Sequence, residues 1–392
     1  MTKLEQLIEE LCPNGVEYRK LSEVTTIERG KRVVKEQLSH DSGYPVFQNS
    51  LTPMGFHTDS NYPAETSYVI GAGAAGEIGY CKEDFWAADD CFPVVCGDSV
   101  INRYVYHFLL WQQPVLLSKV RKASIPRLSR SVIENLMIPF PPLPVQSEIV
   151  RILDNFTELT AELTAELTAR QSQYEYYASN MFPSIKKSDV KWIELGEVAT
   201  VTKLAGFEFT KYVTYSDAGN IIALRGLNVK NGHLVLDDVK YIDNSHLEML
   251  SRSKLRIGDM LFTYVGTVGQ VALIQENDKY YLAPNVALVR ITDERFLPEY
   301  MMYYFLTDKF KQEQIAKLLQ ASSMQNIPME KIRKFKLPLI SIEDQRKTID
   351  ILNRFDTLCN DISVGLPAEI VARQKQYEYY RGKLLTFKEK VN

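Results

Sequence analysis

The sequence predicts an α+β protein: two tandem globular modules joined by two long, antiparallel coiled-coil helices with pseudo-twofold symmetry. Three observations predict it. The nonapeptides "ARQSQYEYY" (169–177) and "ARQKQYEYY" (372–380) differ only at Ser172 and Lys375. Each lies in a long run of residues with helical apolar spacing. The segments between them mix short strand-like runs with shorter helices.

The duplication extends upstream. "IPFPPLPVQSEIVRILDNF" (138–156) runs beside "LPLISIEDQRKTIDILNRF" (337–355), which pairs Pro139 with Pro338, Gln146 with Gln345 and Phe156 with Phe355. "KLSEVTT" (20–26) resembles "ELGEVAT" (194–200), and "IPRLSRSVI" (125–133) is set against "IPMEKIRKF" (327–335). The C-terminal "YYRGKLLTFKEK" resembles "YYASNMFPSIKK", and "GVEYRKLSEV" resembles the "DVKWIELGEV" that follows the latter. The chain therefore reads as a near-circular repeat whose first and last segments are expected side by side. Four segments result: modules at 1–143 and 183–341, and helices at 144–182 and 342–392.

The first helix has no Gly or Pro between Val145 and Phe182. Ile149, Ile152, Phe156, Leu159, Leu163 and Leu167 recur at spacings of three and four, the mark of an amphipathic helix. About 36 residues at 1.5 Å each make a rod of roughly 54 Å. Its middle, "TELTAELTAELTA" (157–169), is a run of four-residue repeats. The second helix, from Ile342 to Lys388, is expected to break at "VGLPAE", where Gly365 and Pro367 disfavour it. A long apolar stripe needs a partner, and the matching helix of the other half is the obvious one.

In the modules, "SYVIGAG", "FPVVC", "NIIALRGL", "DMLFTYVG", "VALI" and "NVALVRI" read as strands bounded by turn residues. "NRYVYHFLLWQQ" and "PEYMMYYFLTDKFKQEQIAKLLQ" read as helices.

The totals agree with a globular protein of more than one core. The chain has 392 residues, 45% apolar and 24% charged, which exceeds what one core organises. It lacks a run of about 18 apolar residues that would span a membrane. The N-terminal "MTKLEQLIEELCPNG" is amphipathic through Leu4, Leu7, Ile8 and Leu11, with no apolar core of a secretory signal. The cysteines (12, 81, 91, 96 and 359) are odd in number and scattered, as free thiols of a reducing cytoplasm are. A net charge of −3 neither implies nor excludes nucleic acid, because local patches decide binding.

Basic patches are present. "SKVRKASIPRLSR" (118–130) carries five cations and no acid, and "EKIRKFK" (330–336) is set against it; "ERGKRVVK", "LRGLNVKNGH" and "SRSKLR" add more. Arg and Lys suit phosphates and guanine edges, Asn and Gln suit adenine. A lone cluster is often only a solvated face, but recurrence at one place in both halves turns the reading toward DNA. The candidate contacts are Lys31, Arg32, Lys122, Arg127 and Arg130 in the first module. In the second they are Arg225, Asn228, Lys230, Arg252, Lys331 and Arg333.

Signatures of catalysis dissolve on inspection. "YVIGAGAAGEIGY" (68–80) contains G-x-G-x-x-G, a nucleotide-binding fingerprint when a helix follows. Aligned with "FTYVGTVGQVAL" (262–273), Gly73 and Gly76 meet Gly266 and Gly269, but Gly71 meets Tyr264, and the residues that follow read as strand. "PFPPLP" (139–144) lacks the Asp or Asn that precedes the Pro-Pro step of amino-methyltransferases. Cys81, Cys91, Cys96 and His57 fit no metal spacing. No catalytic residue and no metal ligand is assigned.

The segments "QSEIVRILDNFTELTAELTAELTARQSQYEYY", "GLPAEIVARQKQYEYYRGKLLTF" and "LEQLIEELCPNGVEYRKLSEV" resemble the specificity (S) subunit of type I restriction–modification systems, in the branch with Thr-Ala-Glu-Leu spacer repeats. The resemblance implies two target-recognition domains, each reading one half of a split asymmetric site in double-stranded DNA. It implies helices that set the half-site spacing and dock two DNA methyltransferase (M) subunits, with restriction/translocase (R) subunits completing the assembly. S-adenosylmethionine, ATP and Mg would belong to those partners; the chain itself would hold no cofactor and work in the cytoplasm, at the nucleoid. The readings that stand beside this are a self-sufficient DNA methyltransferase or nuclease, and a helical bridging protein that never touches DNA.

A ruler can be shortened. Deleting Ala161–Thr164 removes roughly 6 Å of helix, close to two base-pair steps of about 3.4 Å. Methylome sequencing of this variant is expected to return the same half-sites with a shorter spacer; an unchanged motif refutes the ruler.

Overall fold

The computed structural model describes residues 2–40, 42–185, 190–204, 206–319, 326–361 and 364–390. The helices that organise them are α1 (Asn102–Ser118), α2 (Leu143–Met181), α3 (Pro298–Leu306), α4 (Ile342–Asn360) and α5 (Leu366–Leu384). α2 runs unbroken for 39 residues. Within it Thr157, Thr160 and Thr164 return their hydroxyls to the carbonyls of Leu153, Phe156 and Thr160 at 3.1, 2.8 and 2.8 Å, so these polar side chains are satisfied by their own helix. The expected break lies between α4 and α5. Gly365 donates its N–H to the Asp361 carbonyl, and a Cβ there would come within 2.4 Å of the Thr357 carbonyl oxygen. Pro367 then sits in the first turn of α5, where its missing N–H costs nothing.

The segment expected as one helix from Pro298 onward is not continuous. α3 stops at Leu306, and Thr307 turns extended (ψ 144°) and caps a new turn at Asp308–Phe310 by accepting the Phe310 N–H at 3.1 Å. The break brings the Phe310 ring flat onto Phe305, 4.3 Å between centroids, a contact that the straight helix would forfeit. Gln320, the last residue of that expected helix, lies outside the described residues, as do Lys186, Lys187 and Asp189 of the repeated segments.

The chain divides into two compact units, residues 1–164 with 368–392, and residues 165–367. Each unit therefore takes half of α2 and one of the two C-terminal helices. In the first unit β1 (Thr25–Ile27), β2 (Thr66–Ile70), β3 (Ile78–Cys81) and β4 (Cys91–Cys96) form an antiparallel sheet in the order β1-β4-β2-β3. In the second, β5 (Ala199–Lys203), β6 (Met260–Thr263), β7 (Val271–Leu273) and β8 (Val286–Ile291) repeat it in the order β5-β8-β6-β7. Tyr104 and Phe108 of α1 bury against Val69, Ile78 and Val94; Tyr300, Tyr304 and Phe305 of α3 do so against Phe262 and Val271. Each unit also carries a short parallel pair, Tyr44–Phe47 with Trp86–Ala87 and Ile222–Leu224 with Tyr280–Leu282.

A buried glutamine fastens each long helix to its sheet-bearing module. Gln146 accepts the Ile101 N–H at 2.9 Å and donates to the Ser99 and Pro141 carbonyls at 3.2 and 2.8 Å. Gln345 accepts the Leu297 N–H at 2.9 Å and donates to the Arg295 and Ile340 carbonyls at 2.7 and 3.1 Å. Both are fully buried, so each amide satisfies its own polar atoms while it ties three backbone groups of the module to the helix.

About two turns further along α2 and α4, the units differ. In the first, His107 Nε2 meets Asp154 Oδ1 at 2.8 Å and His107 Nδ1 meets the Tyr377 hydroxyl at 3.0 Å. The carboxylate can only accept, so Nε2 carries the proton and Tyr377 donates to Nδ1. This joins α1, α2 and α5 through one buried imidazole. In the second unit Tyr303 takes the place of His107 and donates its hydroxyl to Asn353. The ring pair Phe156–Tyr380 (5.4 Å) in one unit answers Phe355–Tyr177 (5.8 Å) in the other.

The first and last segments lie side by side, as the circular reading expects. Val16 donates to the Lys388 carbonyl at 2.9 Å, Lys390 donates to Val16 at 3.0 Å, and the Tyr18 hydroxyl donates to the Phe387 carbonyl at 3.2 Å. Gly15 (φ +95°) is required there, since a Cβ would stand 2.5 Å from the Lys388 oxygen.

Two outcomes are expected. Gln146→Leu or Gln345→Leu leaves three backbone groups without their partner and is expected to cost about 1–3 kcal/mol, read by urea or thermal unfolding. The second concerns pH. Burial holds the His107 imidazole below its ordinary value, against the pull of Asp154. The unfolded chain then takes up the proton first as pH falls through about 6.5, and stability declines from there downward. The double variant H107Y/D154N, which copies the second unit, is expected to flatten the stability profile between about pH 6.5 and 5.

Candidate nucleic-acid interface

The glycine motif joins two strands. β2 passes into β3 through residues 71–77, with Gly73 at φ +82° and Gly76 at φ +90°. The turn is closed by the Gly76 N–H to Ile70 O (2.8 Å) and the Ile70 N–H to Glu77 O (2.9 Å). In the second unit Gly266 (φ +79°) and Gly269 (φ +90°) build the same turn between β6 and β7, closed by Gly269 to Thr263 and Thr263 to Gln270, both 2.9 Å. Left-handed backbone at these two places is why both copies keep glycine. No helix start follows, so the arrangement that holds a dinucleotide pyrophosphate is not built here.

A basic loop is laid across the first turn. Gly73 donates to the Pro126 carbonyl at 3.1 Å and Leu128 donates to the Gly71 carbonyl at 2.8 Å. Arg121 and Arg127 close the loop on itself through two backbone hydrogen bonds of 2.9 and 3.2 Å. Lys122 and Arg127 are exposed on it.

The same contacts correct the alignment of 125–133 with 327–335. Ile327 donates to the Tyr264 carbonyl at 3.0 Å as Leu128 does to Gly71. Ile133 and Ile332 are the fully buried residues of the short helices that follow, and the Leu136 and Phe335 carbonyls accept the Leu21 and Leu195 N–H groups, both at 2.8 Å. These pairs share the offset of Gln146 with Gln345, so the shared Ile-Pro dipeptide misplaces the segments by three residues. The physical reason is that burial and the strand bonds fix register: Ile327 is buried where Leu128 is, whereas Ile125 of the matching dipeptide is exposed. Lys331 and Arg333 consequently stand where Val132 and Glu134 stand, and the basic loop has no positional copy in "EKIRKFK".

The remaining candidates sort by what holds them. Asn228 is fully buried; its amide donates to the Val235 and Asp238 carbonyls, both at 2.8 Å, and its oxygen accepts the Arg225 N–H at 3.0 Å. It shapes a loop and, as placed, does not reach a base. Arg225 is tied to Asp238 at 2.8 Å, Arg130 to Glu134 at 2.9 Å, and Arg333 to the Val201 carbonyl at 2.9 Å. Arg252 is exposed on the turn Leu247–Ser253. Lys31, Arg32, Lys122, Arg127, Lys230 and Lys331 are exposed, and none pairs with a carboxylate among the described residues. Cations of this kind, held by backbone and free at the tip, suit phosphate oxygens.

The cysteines offer no metal centre: among the described residues no group of three His, Cys, Asp or Glu stands close enough to hold an ion. Cys81 and Cys91 are buried free thiols, and burial pushes the Cys96 thiol up to about 12. Among the described residues no helix is long and apolar enough to cross a membrane. Sequence reasoning missed Tyr215 and Asn285, which line a cavity beside the second glycine turn; the one local signal was the Pro-Asn step at 284–285.

The comparisons with known proteins agree with this architecture. Residues 13–170 and 187–372 match the model of the type I restriction modification DNA specificity domain. A putative type I restriction enzyme specificity subunit of Haemophilus influenzae is 30% identical over 98% of this chain and 98% of its own length. The EcoR124I/EcoR124II specificity subunit of Escherichia coli is 29% identical over 99% of this chain and 97% of its own. In fold, the S subunit of a type I restriction–modification system from M. genitalium superposes with a TM-score of 0.60 at 15% identity, covering 95% of this chain and 96% of that one. With a family match over most of its length, twice in tandem, the chain belongs to the type I restriction–modification DNA specificity family.

Proposed function

We propose that the chain is the sequence-reading, non-catalytic subunit of a type I restriction–modification assembly. Residues 1–143 and 183–341 are the target-recognition domains, and 144–182 and 342–392 the helices that set half-site spacing. The observation that carries the reading is a repeated frame with unrepeated surfaces. The glutamine lock, the sheet order and the glycine turn recur in both units, while the basic loop of residues 118–130 and the hairpin of Val229–Lys230 with His233–Leu234 do not. One frame used twice suits two copies of one partner; two unlike surfaces suit two unlike half-sites.

The partner surface that fits is the repeated tyrosine patch. Tyr177 and Tyr380 pack inward on Phe355 and Phe156, but Tyr176 and Tyr379 each stand 65% exposed beside them. Each patch keeps the same helix-surface pair, Arg170 with Glu166 and Arg373 with Glu369, both at 3.4 Å. Exposed tyrosines are what protein interfaces use as anchors. Each patch docks one methyltransferase subunit, and those subunits bring S-adenosylmethionine; restriction/translocase subunits bring ATP and Mg. The exposed cations of the modules contact duplex phosphates, at the nucleoid in the cytoplasm.

Native mass spectrometry and an adenine-methylation assay test this together. The wild-type chain is expected to bind two methyltransferase copies and to show methyl transfer to DNA only in their presence. Tyr176→Ala and Tyr379→Ala are each expected to leave one copy bound, and the double variant none. Methylation by the purified chain alone, or two copies retained by the double variant, refutes the reading.

A further inference from the structure

The first glycine turn holds a loop on either side. Two consecutive residues of the turn do the holding: Gly73 donates its N–H to the Pro126 carbonyl at 3.1 Å, and Ala74 donates its N–H to the Asn49 carbonyl at 2.9 Å. Gly73 also lies against Asn49, since a Cβ on it would stand 2.9 Å from the Asn49 Cβ. Asn49 is thereby fixed just past the strand Tyr44–Phe47, whose end is tied where the Phe47 carbonyl accepts the Ala88 N–H at 2.8 Å. On the other side, the Arg121–Arg127 hydrogen bonds close a loop with residues 122–126 at its tip, and the buried Leu128 roots it.

The two loops carry different chemistry. Ile125 is 54% exposed at the tip of its loop, between the exposed cations Lys122 and Arg127. Pro126 disfavours helical backbone at Ile125, and a β-branched side chain has few rotamers, so this apolar group is presented rigidly. Asn49 is exposed too, unlike Asn228, whose amide is spent inside its own loop. The neighbouring Gln48 gives its amide to Asp89 at 3.2 Å. Neither 48–54 nor 121–127 contains an acid, which suits a polyanionic partner. Two chain segments side by side have the width of a two-stranded ribbon, which the major groove of a duplex admits and the minor groove, about 6 Å wide, does not. In the major groove an Asn amide matches N6 and N7 of adenine, and an apolar side chain matches the methyl group of thymine.

We propose that the two clasped loops are the reading head of the first module. They enter the major groove together, Asn49 hydrogen-bonding one adenine through N6 and N7 and Ile125 packing on a thymine methyl, with Lys122 and Arg127 on the flanking phosphates. The proposal rests on the DNA-reading function above and adds to it the residues and the bases. It requires A·T pairs in the half-site of the first module. Because one turn holds both loops, the two positions lie within about three base pairs, roughly 10 Å, of each other.

The test uses the complex of the full chain with its methyltransferase subunits and the two-part target found by methylome sequencing. Asn49→Ala and Ile125→Ser are each expected to relax the motif at one A·T position of the same half-site. The other half-site stays unchanged, which also reports that the chain folds. Duplexes altered at single base atoms then identify each contact. In wild type, 7-deazaadenine at the position that Asn49→Ala relaxes removes N7 and is expected to weaken binding about tenfold. Uracil at the position that Ile125→Ser relaxes removes the thymine methyl and is expected to weaken binding about fourfold. Each variant is expected to ignore the analogue that its own residue reads and to keep its sensitivity to the other. An unchanged motif in both variants, relaxation at G·C positions or in different half-sites, or a uniform loss over all sequences as a phosphate contact gives, overturns the proposal. So does a wild type that ignores both analogues, or a variant that still senses its own. A wild-type complex that methylates no specific sequence would overturn the DNA-reading function, and the reading head with it.

Discussion

A buried amide fixes where each long helix leaves its module. Gln146 and Gln345 sit at the first turns of α2 and α4, and each closes three hydrogen bonds to backbone of its module. A leucine of similar size fills the space but satisfies none of those groups, so the side chain is set by geometry and polarity at once. The strands, the helix that crosses them and the long helix meet at this point. Everything that depends on the angle of the helix to the sheet depends on it.

With that junction fixed twice, the rest of each module is free to differ. The first unit covers its glycine turn with Asn49 and a basic loop; the second has a cavity lined by Phe209 and Tyr215 beside its turn. His107 with Asp154 in one unit becomes Tyr303 with Asn353 in the other. That exchange keeps a polar bridge between module and helix while removing its charge.

Much of this was legible beforehand for reasons that are local. A nonapeptide repeated almost unchanged, a stripe of apolar residues at spacings of three and four, and Gly365 with Pro367 each act through the residues that carry them. The strands followed from short β-branched runs between turn residues, and Gly73 and Gly76 announced a turn once a second copy retained them. The errors were of another kind. "IPRLSRSVI" and "IPMEKIRKF" share a visible dipeptide, but the register is held by Ile133 and Ile332, whose burial no local pattern displays. Asn228, a candidate DNA contact by residue type, is fully buried as the tie of a loop. Thr307 breaks a helix that its neighbours favour, because Phe310 gains a ring stack on Phe305.

The sequence by itself determined the duplication, the long helices and their break, and the family, because repetition and periodicity are properties of the string. Only the tertiary structure decided which cations are tied to Asp238, Glu134 or the Val201 carbonyl, and what stands over the first glycine turn. Those are outcomes of long-range packing, in which a residue's neighbours in space lie tens or hundreds of positions away in the chain. Asn49 over Gly73 is a contact that the turn sequence itself does not contain.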